Sequence, residues 1–188
     1  ERFFNDFGKK VSDLYELKKL NPAYRVIFDK NSQFEMEDNI NSIVKLFEKH
    51  EKGSGKKLEA FMREAKDNYN LAVTNMLYKM PGLSPLELVN SKTIAKANLF
   101  LTNIKKQIEK RFKNHKLRSI LQFPVLFLGA KPSNTPAFYN FMNYADFGLG
   151  TWQPKNGFFD VVKAMIKVAE ENGVKFYNNR SEEHTSEL

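Results

Sequence analysis

Apolar residues recur at the three- and four-residue spacing of an α-helix over most of this sequence. Ile40, Ile43, Val44 and Phe47 form one such stripe, and this spacing places them on one face of an amphipathic helix. The same period predicts further helices at about residues 3–20, 57–79, 84–112, 115–123, 135–144 and 158–171.

Two short segments show the alternation of a strand instead. Tyr24–Phe28 and Gln33–Met36 lie on either side of a polar turn, a pattern that predicts a β-hairpin. Another strand is expected to begin at Val174, after Asn172 and Gly173 end the last helix in a left-handed turn. The sequence therefore predicts an α+β protein that is mostly α.

Polar residues and prolines mark the helix ends. Asp38 and Asn114 are predicted N-caps, and Ser84-Pro85-Leu86-Glu87 has the spacing of a capping box with proline at the first helical position. Breaks are expected near Ser91 and near Thr102, and Pro124 is expected to kink or end the helix that follows Asn114.

The amino-acid composition argues against several kinds of functional site. The 188 residues include 17 Phe and no Cys, so disulfides and thiolate metal sites are excluded. The three His are far apart in sequence, which argues against a metal site or a His-dependent triad. The absence of cysteine fits a cytoplasmic protein. No apolar run approaches the ~20 residues that span a bilayer as a helix.

The net charge of +8 is concentrated in one region. Seven Lys or Arg residues lie between Lys105 and Arg118, interleaved with Ile104, Ile108, Phe112 and Leu117. This pattern is typical of a basic amphipathic helix that binds an anionic membrane surface, although a solvated helix face explains it equally well. Nucleic acid is not expected as a partner, because nothing matches a known binding module.

The stretch from Leu117 to Gly157 is rich in aromatic residues, and charge almost vanishes between Lys131 and Asp146. Such a composition indicates the wall of an apolar site followed by a glycine-rich passage. Asp146 and Asp160 flank that passage and are the carboxylates best placed for chemistry, although capping or turn roles explain them more simply.

A family resemblance covers nearly all of residues 3–179. The residues that carry it run in order from Leu117 to Val174 and include Phe123-Pro124, Leu126-Phe127-Leu128-Gly129, Thr135-Pro136-Ala137, Met142-Asn143-Tyr144, Gly148-Leu149-Gly150-Thr151-Trp152, Pro154 and Gly157. On these residues the chain resembles the phytoene desaturase family of bacterial carotenoid biosynthesis, which are FAD-dependent, amine-oxidase-like flavoproteins.

The resemblance implies an FAD-dependent oxidoreductase that introduces double bonds into a linear isoprenoid, with the flavin carrying the chemistry. It implies Arg118 as the polar residue that aligns flavin or substrate. The implied substrate-binding residues are Phe123, Phe127, Phe138, Tyr139, Phe141 and Met142. The implied cofactor-binding residues are Gly150, Thr151, Trp152, Pro154 and Gly157. A linear carotenoid stays in a bilayer, so a peripheral location on the inner face of the cell membrane is expected.

The chain departs from the family pattern at three points. No Gly-x-Gly-x-x-Gly opens it, so the turn that binds the FAD pyrophosphate is missing. Asn114 stands where an acidic residue is expected, and Asn156 stands at a glycine position. We therefore interpret the chain as an internal part of a flavoenzyme whose Rossmann-like FAD domain is largely absent from it.

This interpretation divides the chain into three parts. Residues 1–147 are expected to form the helical substrate-binding and membrane-facing region, and residues 148–179 the return into the FAD-binding domain. Residues 180–188 read like a translated sequencing adapter and are interpreted as a non-native tail. Two alternatives remain open at this stage: a polyene isomerase or saturase of the same superfamily, and a helical membrane- or lipid-binding module without a cofactor.

Overall fold

A computed structural model of the chain describes residues 2–77 and 91–179. The regular elements are, in chain order, α1 (Arg2–Asp6), β1 (Leu17–Lys19), β2 (Tyr24–Asp29), β3 (Ser32–Met36), α2 (Ile40–His50), α3 (Ser54–Tyr69), α4 (Ser91–Ile94), α5 (Ala97–Leu101), α6 (Ile104–Arg111), α7 (His115–Gln122), α8 (Phe141–Asn143), β4 (Trp152–Pro154) and α9 (Phe159–Glu171). Shorter 3₁₀ segments lie at Val11–Asp13, Phe123–Leu128 and Ala137–Asn140, and π-type segments at Asn70–Met76 and Tyr144–Gly148.

The predicted fold class is confirmed at this level. The protein is mostly helical, and β2 and β3 form the expected antiparallel hairpin, with Tyr24 opposite Met36 and Val26 opposite Phe34. Hairpin residues with inward side chains, such as Phe34 and Met36, are buried. The Rossmann-like domain into which the chain is expected to return stays a prediction.

The described residues divide into two compact units. One consists of residues 2–18 and 152–179, and the other of residues 19–77 and 91–151. The expected boundary after residue 147 concerns the longer protein and stays a prediction. The expected tail and the predicted capping box at Ser84–Glu87 lie outside the described residues.

The larger unit has one main core. It packs β2 and β3, α2, α3, α6 and α7 around fully buried side chains that include Phe47, Phe61, Phe112, Leu117 and Leu121. Phe112 contacts the rings of Phe47 and Phe61 edge to face, at centroid distances of 5.9 and 6.4 Å. A second cluster joins Leu71, Leu99, Ala137 and Phe138.

Several helix starts agree with the sequence to within a few residues, but the helix predicted over residues 3–20 is wrong beyond Asp6, because Leu17–Lys19 is strand β1. Asn114 caps α7 as predicted, with its side chain accepting a hydrogen bond from the Lys116 backbone N–H. The prediction of Asp38 as the cap of α2 is wrong: Asn39 caps it and accepts from the Asn41 backbone N–H at 2.9 Å. The Asp38 carboxylate instead pairs with Lys19, which leaves the cap to its neighbour.

The basic segment 104–118 is not a single helix, and its predicted binding to a membrane surface stays a prediction. It forms two helices, because Phe112 is extended between α6 and α7 (φ −118°, ψ 139°). The four interleaved apolar side chains, Ile104, Ile108, Phe112 and Leu117, are each 0% exposed. Their burial in the main core means that they are not available to a bilayer, while Lys105, Lys106, Lys110 and Lys113 remain exposed.

The smaller unit is built on a separate cluster of Phe4, Val11, Ala164 and Val168. The last helix, α9, ends as predicted at Asn172, and Gly173 has a positive φ of 84°. The strand predicted from Val174 is wrong for residues 174–178, which are exposed and have no regular structure. Strand pairing needs a neighbouring edge, and no strand pairs with them in the described part of the chain.

Within the described ranges, residues 2–77 and 91–179, no helix is both long enough and apolar enough to cross a bilayer.

Glu51 joins the end of α2 to the bend between α6 and α7. One carboxylate oxygen accepts from the backbone N–H groups of Lys113 and Asn114, each at 2.8 Å, and the other pairs with Lys57 at 3.2 Å. Burial acts to raise the pKa of Glu51, but the two N–H groups and the Lys57 ammonium together hold the pKa below its ordinary value. The ionised form is therefore favoured by folding.

A carboxyl whose pKa is lowered by folding stabilises the protein above its unfolded-state pKa, and that stabilisation is lost as pH falls through the folded-state pKa. Replacing Glu51 by Gln is expected to lower the free energy of unfolding by about 1–3 kcal/mol at pH 7. Denaturant unfolding at a series of pH values should show the gap from wild type closing below the ordinary pKa of 4.5. The exposed Glu59 of α3 supplies the matched control Glu59→Gln, and an equal loss at pH 3 and pH 7 would contradict the assignment.

Candidate functional site

Two neighbouring cavities lie in the larger unit, between the hairpin and the segment that follows α7. Their volumes are about 490 and 570 Å³, within the range of small-molecule sites. They share a wall formed by Tyr24, Arg25 and Phe123. We refer to the two together as the Tyr24 groove.

The lining of the groove is largely apolar. The first cavity is also lined by Val26, Ile27, Ser119, Ile120, Gln122, Leu126 and Pro132. The second is also lined by Pro124, Phe127, Met142, Ala145, Asp146, Gly150 and Thr151. The groove is thus suited to a long apolar ligand with few polar atoms.

A hydrogen-bonded pair of titratable side chains lies in the second cavity. The Tyr24 hydroxyl donates to Asp146 Oδ2 at 2.6 Å, joining the first residue of β2 to the π-type segment Tyr144–Gly148. Burial raises the pKa of the Tyr24 phenol above its ordinary range, and the Asp146 carboxylate raises it further. Burial also raises the pKa of Asp146, although the hydrogen bond from Tyr24 opposes that shift.

The structure brings three of the six predicted substrate-binding residues to the groove. Phe123, Phe127 and Met142 line the second cavity, and Phe127 is 74% exposed. Phe138 is instead buried in the cluster around Leu99, stacked on Phe100 at a centroid distance of 4.5 Å.

The other two predicted substrate-binding residues lie beside Phe138 and not in the groove. Phe141 packs against the Leu99 cluster, at a ring-centroid distance of 5.9 Å from Phe138, and Tyr139 lies 5.4 Å from Phe141. Neither ring lines a cavity of the groove. Their role in substrate binding stays a prediction.

Arg118, predicted as the catalytic residue, is directed at the backbone of its own region. Its Nε donates to the Phe112 carbonyl at 2.6 Å, and its terminal nitrogen lies 3.5 Å from the Glu109 carbonyl. A guanidinium in this position caps the C-terminal carbonyls of α6. In this structure Arg118 lines neither cavity of the groove.

The predicted cofactor-binding residues are divided between the two units. Gly150 and Thr151 line the second cavity of the groove, whereas Trp152, Pro154 and Gly157 belong to the smaller unit. Gly150 has a φ of +78°, and a Cβ added there would lie 2.4 Å from Lys19 Cε. Gly157 has a φ of +98° and open space where a Cβ would be, so a ligand can approach that backbone closely.

Sequence reasoning missed the pairing of Tyr24 with Asp146. Asp146 was a candidate because it ends a stretch almost free of charge, but Tyr24 was assigned only to the hairpin. The two residues are 122 positions apart, and no local pattern joins residues at that separation. Among the described residues, no group of three or more His, Cys, Asp or Glu is placed to bind a metal ion.

Comparison with known proteins gives a consistent set of relatives. The chain is 32% identical, over 99% of its length, to carotenoid 3,4-desaturase of Haloarcula japonica. It is 24% identical over 94% of its length to the zeta-carotene-forming phytoene desaturase of Myxococcus xanthus, and 28% identical over 92% to phytoene desaturase of Fusarium fujikuroi. No protein-family model matches the chain.

The chain is similar over nearly its whole length to carotenoid and phytoene desaturases. It spans about a third of the length of these relatives, namely 38%, 34% and 31%. The resemblance that the sequence predicted is thereby confirmed. Among the described residues, the Tyr24 groove is a largely apolar cavity system, and the hydrogen-bonded pair of Tyr24 and Asp146 lies in its wall, as do Arg25 and Thr151.

If Arg118 acts as a helix cap, replacing it should destabilise the protein. Arg118→Ala is expected to lower the free energy of unfolding by about 1–3 kcal/mol, because two carbonyls at the end of α6 lose a charged donor. Thermal or denaturant unfolding measures this loss, and Arg63→Ala on the exposed face of α3 is the control, with an expected change within about 0.5 kcal/mol. Equal stability of the two variants, together with lost turnover in Arg118→Ala, would favour the catalytic role instead.

Proposed function

We propose that the protein containing this chain is an FAD-dependent carotenoid desaturase that introduces double bonds into a linear isoprenoid. The observation that carries the proposal is the similarity to carotenoid 3,4-desaturase of Haloarcula japonica across 99% of the chain. The relatives from Myxococcus xanthus and Fusarium fujikuroi, both named as phytoene desaturases, support the same reaction class.

The groove supports a linear polyene as the ligand. Phe123 forms part of the wall that its two cavities share, and Phe127 and Met142 extend the second cavity. An apolar chain leaves water favourably for such a lining, at about 0.8 kcal/mol for each buried CH₂. Few polar side chains are needed to hold it, which agrees with the composition of the groove.

FAD is the cofactor we propose, and when bound it accepts the hydrogen equivalents removed from the carbon–carbon bond. The residues of this chain fit the cofactor in part. Gly150 and Thr151 line the second cavity, and Gly157 leaves its backbone open to a ligand. No Gly-x-Gly-x-x-Gly occurs in the chain, so these residues would contact the cofactor without binding its pyrophosphate.

We further propose that the protein works peripherally on a membrane, on the inner face of the cell membrane. The element that suits this role is the 3₁₀ segment Phe123–Leu128, where Leu126, Phe127 and Leu128 are 53%, 74% and 45% exposed. The exposed lysines of α6 would add electrostatic attraction to anionic lipids. In this arrangement the basic segment contributes charge, and the apolar contact comes from the residues after α7.

A polyene isomerase or saturase would use the same groove, and the family similarity of the chain is compatible with both. A cofactor-free lipid-binding module is less well supported, because the relatives named above are desaturases. The reaction product distinguishes desaturation from these alternatives.

Expression of the complete reading frame in a bacterium that accumulates phytoene tests the reaction directly. Desaturation lengthens the conjugated system, so the extracted pigment should gain absorption bands at longer wavelength, and their positions count the double bonds introduced. An empty vector and a reading frame with residues 19–151 deleted are the controls. A colourless extract from well-expressed, flavin-containing protein would refute a phytoene desaturase and favour another substrate, an isomerase or a saturase.

If Phe123–Leu128 contacts the membrane, a negative charge introduced in this segment should weaken vesicle binding, whereas the same charge elsewhere should not. Phe127→Glu should weaken binding to vesicles that contain anionic lipid by roughly tenfold, because an inserted aromatic side chain contributes about 1.5–3 kcal/mol. Leu101→Glu is the matched control, since Leu101 is 88% exposed in the same unit but lies on α5. Co-sedimentation measures both variants, and equal losses would place the membrane contact elsewhere.

A further inference from the structure

We infer that a polar cavity beside α6 binds a phosphate monoester through Lys106, Lys110 and Arg111. The cavity has a volume of about 530 Å³, lies between α3, the end of α5 and α6, and shares no lining residue with the Tyr24 groove. The inference goes beyond the proposed function, because it depends neither on the reaction nor on the polyene. It is carried by the charge of the lining, by two buried polar atoms without a partner and by the contacts that orient Arg111.

The lining of the cavity has an excess of positive charge. Lys106, Lys110 and Arg111 contribute three positive charges and Glu64 one negative charge, which leaves +3 − 1 = +2. In the part of the chain that the structure describes, Glu64 pairs with Arg111 at 2.7 Å, whereas neither lysine forms an ion pair. An anion in the cavity therefore meets two ammonium charges that no described carboxylate neutralises.

The two lysines lie one turn apart on the same side of α6, and both are exposed. Side chains at positions i and i+4 of a helix are neighbours, so two like charges there repel each other. A phosphate placed between Lys106 and Lys110 replaces that repulsion with attraction. A phosphate monoester carries about 1.5 to 2 negative charges at neutral pH, which matches the excess charge of the lining better than a carboxylate does.

Arg111 is held in a fixed orientation at the side of the cavity. Its Nη2 donates to Glu64 Oε2 at 2.7 Å, and its Cζ lies 5.4 Å from the centroid of the Phe61 ring. Glu64 is held in turn, because its Oε1 accepts from Gln107 at 2.5 Å and from Asn140 at 2.6 Å. A guanidinium oriented in advance loses little conformational freedom when it binds a phosphate.

Two buried polar atoms of α6, Arg111 Nη1 and Gln107 Oε1, have no hydrogen-bond partner among the described residues. Gln107 is only 7% exposed, and its Nε2 already donates to Glu64. Buried polar atoms without a partner are uncommon in native proteins, and both residues line the cavity. A donor and an acceptor one turn apart fit a phosphate oxygen and a phosphate O–H. A monoester supplies both, because its second pKa is about 6.

The same chemical group occurs on soluble metabolites and on lipids. Glycerol 3-phosphate carries a phosphate monoester in solution, and phosphatidic acid carries one at the surface of a bilayer. The cavity is open to both sources, because its rim includes the exposed residues Asn98, Thr102, Lys106 and Lys110. The experiment must therefore separate a soluble ligand from a lipid headgroup.

Two binding measurements on the full-length protein separate these sources. Isothermal titration calorimetry with glycerol 3-phosphate detects a soluble ligand. Co-sedimentation compares phosphatidylcholine vesicles containing phosphatidic acid with vesicles brought to the same surface charge by oleate, a carboxylate. We expect heat of binding with glycerol 3-phosphate if the ligand is soluble. If it is a lipid headgroup, phosphatidic acid vesicles should bind roughly tenfold more tightly than oleate vesicles, the scale of one further hydrogen bond between charged groups.

A double variant with a matched control assigns the binding to the cavity. Lys106→Gln combined with Lys110→Gln removes both unneutralised charges at exposed positions, and the binding of whichever phosphate probe is recognised should weaken by roughly tenfold. The control is Lys105→Gln combined with Lys113→Gln, which removes the same charge from exposed lysines that do not line the cavity. It should leave the phosphate-dependent part of the binding unchanged at physiological salt, where more distant charges are screened.

Arg111→Lys tests the guanidinium itself. Lysine keeps the positive charge but lacks the planar fork that binds phosphate through two nitrogens. Binding of the recognised probe should again weaken by roughly tenfold, although the net charge is the same. The unfolding temperature of the variant shows whether the pairing with Glu64 has been lost as well.

Three results would overturn the inference. The first is that glycerol 3-phosphate gives no heat while phosphatidic acid and oleate vesicles bind equally or not at all. The second is that the control variant weakens phosphate binding as much as the Lys106 and Lys110 variant does. The third is that both Arg111→Lys and the latter variant bind as wild type does. The wild-type comparison needs no variant to fold, and it measures no turnover, so failure of the proposed desaturase reaction is a separate outcome.

Discussion

The burial of Phe112 is the constraint on which most of the larger unit depends. Its ring lies between those of Phe47 and Phe61, and its extended backbone ends α6 and turns the chain into α7. At that turn the backbone N–H groups of Lys113 and Asn114 donate hydrogen bonds to the Glu51 carboxylate. The Phe112 carbonyl accepts a hydrogen bond from Arg118. One buried aromatic residue thereby fixes the long-range contact of Glu51 with this turn, the local contact of Arg118, and the direction of α7. Because α7 leads directly into Phe123–Leu128, the same residue also positions one wall of the Tyr24 groove.

The burial of Phe112 also decides what the apolar face of the basic segment 104–118 contacts. A basic segment with interleaved apolar residues has the pattern of a membrane-binding helix, but that pattern does not say what the apolar face contacts. Here Ile104, Ile108 and Leu117 pack in the core with Phe112, so the exposed face of the segment is polar and includes Lys105, Lys106, Lys110 and Lys113. Leu126 and Phe127, which follow α7, are apolar side chains that remain exposed, and the sequence shows no helical stripe there. Hydrophobic spacing predicts that a face is buried, and tertiary packing decides whether protein or lipid buries it.

Local patterns predicted most of the fold and about half of the groove. The hairpin, α2, α3, α9 and the Asn114 cap depend on residues close together in sequence, and these were predicted. The cap of α2 was misplaced by one residue, because the pairing of Asp38 with Lys19 is a tertiary contact. Phe123 and Phe127 were predicted to bind substrate and do line the groove, whereas Phe138 is buried against Phe100. Aromatic composition alone cannot separate a core residue from a cavity residue, since both are apolar and closely spaced.

The family resemblance did not predict which titratable side chains line the groove. The resemblance implies that Arg118 aligns flavin or substrate, yet in this chain its guanidinium donates to the carbonyls of Phe112 and Glu109 at the end of α6. Tyr24 and Asp146 do line the groove, and their hydrogen bond joins residues that are 122 positions apart. The same hydrogen bond connects β2 to the segment Tyr144–Gly148, so the pair holds two walls of the groove together as well as adding polar atoms to it.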